Sequence, residues 1–367
     1  MHRPMNPRNA AWLTPDMLRS LDTLRRLDDD GYLYQMNIEW DYYDDFVRRF
    51  LAGYNLFHAG CSVFVTNTPQ GGALTCRNYD YKHRKFNKAE EDITGLNVVF
   101  HCSPKGKYRS IGVADAFWLD GQGGTFHHGT LDDGSTDISL LVFLPFVCMD
   151  GMNEKGLTVS ILSQPIRPGE TAVRQNEPGK PRIGHTVLMR YMLDDCANIE
   201  EAVALARSVN IVSHNDADYR IFVTDARGAS VALEWRYNQL HTIYTDACTN
   251  FYVGFDDCED VVINGTLVER AVKFQGTSLE YRYGYGGGYM RFAAIASQLE
   301  MFRDIAGGSG KTVMEPDRAD IIIQSVIRGI GPEENSGTQY SAVYDQEKLT
   351  LALRVMPYFR KRFTFSL

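Results

Sequence analysis

The chain has 367 residues, 44% hydrophobic and 23% charged, a composition that excludes disordered, collagen-like and coiled-coil proteins and suits one large domain or two modest ones. Its 38 basic residues against 46 acidic ones give a formal net charge of −8. That balance disfavours a nucleic-acid groove or an anionic membrane surface as partner and favours a small or neutral substrate.

In chain order, Met17, Leu18, Leu21, Leu24 and Leu27 recur at steps of three and four, which predicts a helix over 15–27. The segment 38–51 repeats the pattern with aromatic residues and predicts a second helix. At Cys61 the period changes to two. Residues 61–67 and 73–77 read as a hairpin across Pro69-Gln70-Gly71-Gly72. Strands are expected at 97–101, 108–113, 138–146 and 157–162, the last after the turn Asn153-Glu154-Lys155-Gly156. Helices follow at 184–193 and 199–209, with Asn198 as a cap. Strands are expected at 219–224, 230–235 and 240–245, then helices at 289–302 and 317–327. A final hairpin, 339–344 with 349–355, turns at Asp345-Gln346-Glu347-Lys348. The order suggests an α+β layered domain over 61–367 after a helical leader, 1–60.

No apolar run reaches membrane-spanning length, since the stretch from Ile138 to Val147 contains Pro145. The N-terminus has Arg3 and Arg8 but no signal-peptide core, so the expected location is the cytoplasm. Seven cysteines, Cys61, Cys76, Cys102, Cys148, Cys196, Cys248 and Cys258, are an odd number without CxxC spacing, which argues against a disulfide scaffold and a zinc ribbon.

Most short motifs fail. Gly307 to Thr312 ends in Gly-Lys-Thr, but the first glycine of a phosphate loop would fall on Ile305, after a helix. The glycines at 284 and 286–288 lack the strand-then-helix context of a dinucleotide site. His127-His128 has no third ligand at metal spacing, and the sequon Asn264-Gly265-Thr266 carries meaning only in a secreted protein.

One constellation is informative. Gly60-Cys61-Ser62 opens a strand, and Arg77-Asn78-Tyr79-Asp80-Tyr81 closes its partner, so a tight hairpin brings Arg77 and Asp80 beside Cys61. A guanidinium lowers a thiol pKa, and an aspartate can hold a cation beside it. On spacing alone, a buried structural cysteine beside a surface ion pair is the favoured reading, since free cysteine is among the most buried residues.

These residues, with Asp150-Gly151-Met152-Asn153-Glu154-Lys155-Gly156-Leu157, resemble the linear amide C–N hydrolases of the N-terminal nucleophile superfamily. That group includes choloylglycine (bile salt) hydrolases, penicillin V acylases, acid ceramidase-like amidases and isopenicillin N acyltransferases. Further blocks follow in the family's order: Tyr219 to Gly228 with Glu234, Thr249-Asn250-Phe251, Arg291-Phe292, and Thr338 to Asp345. The resemblance spans essentially all of 61–367 and implies a four-layer αββα sandwich.

It also implies roles. The chain would cut itself between Gly60 and Cys61, freeing an α-amino group that serves Cys61 as general base. Arg77 matches the position that stabilises the thiolate, Asp80 the one that orients the α-amino group, Asn250 the side-chain donor of the oxyanion hole, and Arg291 an electrostatic support. Read alone, Asn250 is a turn residue and Arg291 a helix-surface cation. At the second oxyanion position the family usually carries Asn or Tyr, and here Ser163 stands there. A backbone N–H or Gln164 would then complete the hole.

The implied reaction is hydrolysis of a non-peptide amide through a thioester on Cys61, without metal or organic cofactor. Transfer of the acyl group to an amine, or an uncleaved non-catalytic chain, are the alternatives. Loop aromatics Phe117, Trp118, Phe126, Tyr283, Tyr285 and Tyr289 suggest an apolar acyl group, although aromatics also fill cores. The leader would be removed or kept as a separate chain, and relatives leave a homo-oligomer open.

Overall fold

The structure, a computed structural model, describes residues 12–43, 60–81, 94–119, 126–164, 166, 170–213, 218–251, 258–263, 266–272, 288–305, 310–329 and 337–367. Helix α1 (Pro15–Asp22) starts where the Thr14 hydroxyl accepts from the Met17 N–H and Pro15 presets the first turn, and it buries Met17 and Leu21. It stops short of the predicted end. The Asp28 carboxylate accepts backbone N–H groups from Asp30, Gly31, Tyr32 and Leu33, gathering this stretch into a tight turn. Gly31 has φ 76°, and a Cβ there would lie 2.4 Å from the Gly129 nitrogen. The turn joins β1 (Arg25–Arg26) to β2 (Leu33–Ile38), so the expected helical leader also contributes strands. Residues 39–43 are not helical, and the rest of the expected 38–51 helix lies outside the described residues.

The body begins with β3 (Gly60–Asn67) and β4 (Ala73–Tyr81), paired antiparallel from Asn67 opposite Ala73 to Gly60 opposite Asp80. Next come β5 (Asn97–Cys102) and β6 (Ser110–Asp115). The expected strand at 138–146 is instead a 3₁₀ helix over Ser139–Phe146 with Pro145 inside it. A short continuous apolar run fits a buried helix as well as a strand, and this one has no alternation to choose between them. The strand comes just after it, β7 (Cys148–Asn153), and returns as β8 (Thr158–Gln164).

A short strand β9 (Arg182–Ile183) leads into α2 (His185–Asp195) and α3 (Ile199–Arg207), the latter capped by Asn198 accepting from the Glu201 N–H. Strand β10 (Asn210–Ile211) pairs parallel with β9. Then follow β11 (Asp218–Thr224), β12 (Ser230–Arg236), β13 (Gln239–Tyr244) and β14 (Ala247–Cys248). A separate antiparallel pair, β15 (Cys258–Ile263) with β16 (Thr266–Val272), sets Ile263 opposite Thr266. Helices α4 (Gly288–Ile305) and α5 (Pro316–Ser325) precede β17 (Gly337–Asp345), β18 (Thr350–Val355) and β19 (Phe363–Ser366).

The strands form two large sheets. Nine run in the order β1-β2-β5-β6-β7-β8-β11-β12-β13 and six in the order β14-β3-β4-β17-β18-β19. Within the nine-stranded sheet only β2 and β5 pair parallel. Helix α2 packs on β7 and β8, and α3 on β11 to β13; α4 covers β3 and β14, and α5 covers β4 and β17. The order is helix, sheet, sheet, helix, the αββα sandwich. Strand β4 lies mid-sheet with both faces covered, and all nine of its residues are buried.

Candidate active site

Cys61 sits at the start of β3, where strand alternation splits the site into two layers. Cys61, Tyr79 and Arg77 face the second sheet, whereas Ser62, Asn78 and Asp80 face the helices. The contacts agree. Arg77 reaches across the sandwich to Asp150 on β7 at 2.5 Å, and Asn78 donates to the Ile323 carbonyl of α5 at 2.8 Å.

In the layer between the sheets, the Arg77 guanidinium donates from Nη2 to the Cys61 sulfur at 3.4 Å. Arg77 and Asp150 are both wholly buried, and the Asp150 carboxylate also accepts from the hydroxyls of Tyr340 and Tyr344. Burial pushes the Asp150 pKa up, and Arg77 and the two tyrosine hydroxyls oppose the rise. Burial likewise pushes the Cys61 thiol up, against the pull of Arg77. The thiol is therefore a protonated group in the intact chain at neutral pH.

In the helix-side layer, Arg291 of α4 donates to the Cys61 carbonyl at 2.5 Å, to the Ser62 hydroxyl, and to Asn250 Oδ1 at 2.9 Å, and it lies 3.5 Å from Asp80. Asp80 accepts from the Thr338 hydroxyl at 2.7 Å. Its pKa is raised by burial against Arg291 and Thr338. Asn250 joins the two layers. Its Oδ1 accepts from the Cys61 backbone nitrogen, and its Nδ2 donates to the Ser163 carbonyl at 2.7 Å.

The fold thus gathers Cys61, Arg77, Asp80, Asn250 and Arg291 around one strand end, with Gly60 opposite Asp80. Ser163 meets Asn250 through its backbone carbonyl. The Ser163 hydroxyl and both polar atoms of the Gln164 amide are buried without a hydrogen-bond partner among the described residues. Asp150 and Thr338 touch this group directly, and Tyr340 and Tyr344 support Asp150; all four stand in the family-like blocks, but the sequence assigned none of them a role. The signal existed, because Asp150 is a carboxylate inside an apolar run, and Tyr340 and Tyr344 share one face of β17.

Of the aromatics, Trp118 lies beside the site. Its Nε1 donates to the Tyr79 hydroxyl at 2.9 Å, and Tyr79 is directly opposite Cys61. Tyr289 packs edge-on against Phe251 at 5.8 Å, next to Asn250. Tyr283, Tyr285, the 284–287 glycines, Gly307 to Ser309 and Asn264-Gly265 lie outside the described residues. His128 packs on Tyr32 and hydrogen-bonds the Gly95 carbonyl at 3.3 Å. No helix among the described residues is long and apolar enough to cross a membrane.

Two sheets packed face to face between helical layers, with a cysteine opening a central strand, define the N-terminal nucleophile hydrolase fold. Within it, the chain belongs to the acyl-coenzyme A:6-aminopenicillanic acid acyl-transferase family, whose profile matches residues 144–355, more than half of the chain. That stretch carries Asp150, Ser163, Asn250, Arg291 and Tyr340, whereas Cys61 and Arg77 precede it. Two variants of a conjugated bile acid hydrolase from Clostridium perfringens share the fold, each 18% identical. One has a TM-score of 0.54 over 84% of this chain and 92% of that one, the other 0.53 over 83% and 92%. Penicillin V acylase from Agrobacterium tumefaciens is 16% identical, with a TM-score of 0.50 over 84% of this chain and 86% of that one. No protein of curated function matches the chain in sequence.

Proposed function

We propose that the protein is a cysteine N-terminal nucleophile amidohydrolase that cleaves a linear, non-peptide amide through a thioester on Cys61. One observation carries the reading: Cys61 has its sulfur on Arg77 and its backbone nitrogen on Asn250, at a strand end braced by Arg291. In the proposed activation the Cys61 thiol attacks the Gly60 carbonyl, the Gly60–Cys61 C–N bond breaks, and the nitrogen takes the thiol proton. Water then hydrolyses the resulting thioester. The freed α-amino group, ordinarily titrating near pH 7.7 to 8.0, is suited to accept the thiol proton in turnover and pass it to the leaving amine. Asn250 Oδ1, which accepts from this nitrogen, would orient it.

In turnover the sulfur bonds to the substrate carbonyl carbon, the amine leaves with the proton, and water releases the acid. The Asn250 amide, with the Gln164 amide or the Ser163 hydroxyl, supplies donors for the oxyanion; removing one such donor typically costs about 3 to 4 kcal/mol. Tyr79 and Trp118 favour an apolar acyl group, resembling that of a bile salt, penicillin V or another N-acyl amide. No metal or organic cofactor enters these steps.

The family match favours a second reading, in which the thioester passes to an amine rather than water. Residues 1–60 would remain bound after the cut, because β2 is a buried strand inside the large sheet.

Intact mass and N-terminal sequencing of purified protein test the proposal. A chain beginning Cys-Ser-Val-Phe that hydrolyses N-acyl amides is expected. Only full-length chain after prolonged incubation would sink the reading, and acyl products that form only when an amine is added would select the transferase.

A further inference from the structure

Arg220 on β11 is buried between the sheets and ion-paired with Glu234 on the adjacent β12. Its two terminal nitrogens also donate to the segment that runs from the end of β14 to Phe251. Nη1 donates to the Cys248 sulfur at 2.8 Å and to the Thr249 carbonyl at 2.5 Å, and Nη2 donates to the Phe251 carbonyl. One side chain therefore holds the carbonyls on both sides of Asn250.

The opposite side of the segment is fixed as well. The Thr249 hydroxyl donates to the Gly288 carbonyl at 2.6 Å. Gly288 presses so closely on Asn250 that a Cβ there would come 3.0 Å from the Asn250 nitrogen and 3.2 Å from its oxygen. Asn250 is thus clamped between a guanidinium fork on one sheet and the first turn of α4. The planar fork suits this task, since it serves a carboxylate and two carbonyls at fixed angles; an ammonium on a flexible stem is a point charge without that geometry. Removing either partner would leave the other charged and buried, which explains why both must act as a pair.

We propose that Arg220, anchored by Glu234, is the positioning residue that sets the Asn250 amide against Cys61. This role rests on the reaction proposed above for Cys61. The sulfur contact of Arg220 is Cys248, not the Cys61 nucleophile, and the guanidinium acts on Asn250 through the backbone carbonyls on either side.

The test uses the full chain in four forms: wild type, N250A, R220M/E234M and R220M/E234M/N250A. Replacing both charges by methionine keeps volume and removes the fork without stranding a buried charge. In the processed protein, R220M/E234M is expected to lower kcat about 10- to 100-fold while KM stays within about threefold, as for a misplaced catalytic group. The same pair of changes in the N250A background is expected to lower kcat less than about twofold, because the fork has nothing left to place. Hydrogen exchange of the amides over 248–251 should speed up in R220M/E234M while the sheets stay protected.

A wild-type kcat in R220M/E234M, or an equal loss in both backgrounds, would overturn the role. Unchanged exchange over 248–251 would overturn it independently of activity. A wild type that turns over no amide, or an N250A variant with full kcat, would instead sink the reaction itself. R220K, which retains a cation for Glu234 but not the fork, carries the same measurements if the double variant fails to fold.

Discussion

Arg77 lies 3.4 Å from the Cys61 sulfur, and both side chains are buried. The cation is balanced on its far side by Asp150, which two tyrosine hydroxyls also satisfy. D150N removes the balance and strands a buried guanidinium, so it should cost about 3 to 5 kcal/mol of stability in urea unfolding. Y340F removes one charge-assisted hydrogen bond and should cost less, about 1.5 to 3 kcal/mol. If D150N were as stable as wild type, the pair would not be holding the two sheets together in the way its geometry implies.

The Cys61 thiol is raised by burial, with Arg77 pulling the other way. A raised thiol pKa means the protonated form persists at neutral pH, and the thiolate fraction grows about tenfold per pH unit until the pKa is reached. Conversion of freshly purified intact chain to the Cys61-terminated form should therefore accelerate steadily between about pH 6.5 and 9. R77M loses the opposing cation, so its thiol rises further and its conversion should be slower at every pH. Time-resolved intact mass reads both rates; a flat profile across this range would show that thiolate formation does not limit the cut.

How much was legible in the sequence follows from distance along the chain. Cys61 and Arg77 are 16 residues apart, and a hairpin of period two fixes their register without any other information. Asn250 lies 189 residues from Cys61 and Arg291 230, and no local pattern joins such positions; only the resemblance of ordered blocks brought them forward. Asp150, Arg220 and Glu234 stand within the family-like blocks, but what Asp150 and Arg220 face across the sandwich is set only when the second sheet stands opposite them. Leucines at 18, 21, 24 and 27 satisfy a helical stripe, but the helix ends at Asp22, and Arg25 and Arg26 are drawn into pairing with β2 across the turn that Asp28 gathers. Asn264-Gly265, weighed only as a sequon, is also a hairpin signal, and strands pair on either side of it.

Residues 12–43 are tied to the rest of the structure by more than pairing of β2 with β5. Trp40 Nε1 donates to the Val142 carbonyl at 3.1 Å, Arg26 pairs with Asp132 at 2.5 Å, and the Tyr42 and Tyr43 hydroxyls donate to Asp194 at 3.0 and 2.7 Å. After the proposed cut the two chains should co-elute in native size exclusion and separate only in denaturant. Y42F/Y43F should lower the urea concentration at which they part, since Asp194 keeps Arg190 but loses both hydroxyls. A leader that elutes alone under native conditions would refute retention.

His185 opens α2, packed edge-on against Tyr219 at 5.4 Å and Trp235 at 5.0 Å, and its Nε2 is buried without a hydrogen-bond partner among the described residues. Burial lowers its pKa to about 3, whereas an unfolded histidine titrates near 6.5. Between these values the unfolded chain binds a proton that the folded one refuses, so stability is full above about pH 6.5 and falls as pH drops towards 3. At pH 5 the loss from this one group is about 2 kcal/mol, from one and a half units at about 1.4 kcal/mol each. H185F keeps an aromatic ring against Tyr219 and Trp235 but cannot take up the proton. Urea unfolding at pH 7 and pH 5 should therefore show a stability difference smaller by about 2 kcal/mol in H185F than in wild type. Equal differences in the two proteins would mean that His185 is already protonated in the fold, and that some other buried group sets the acid limb.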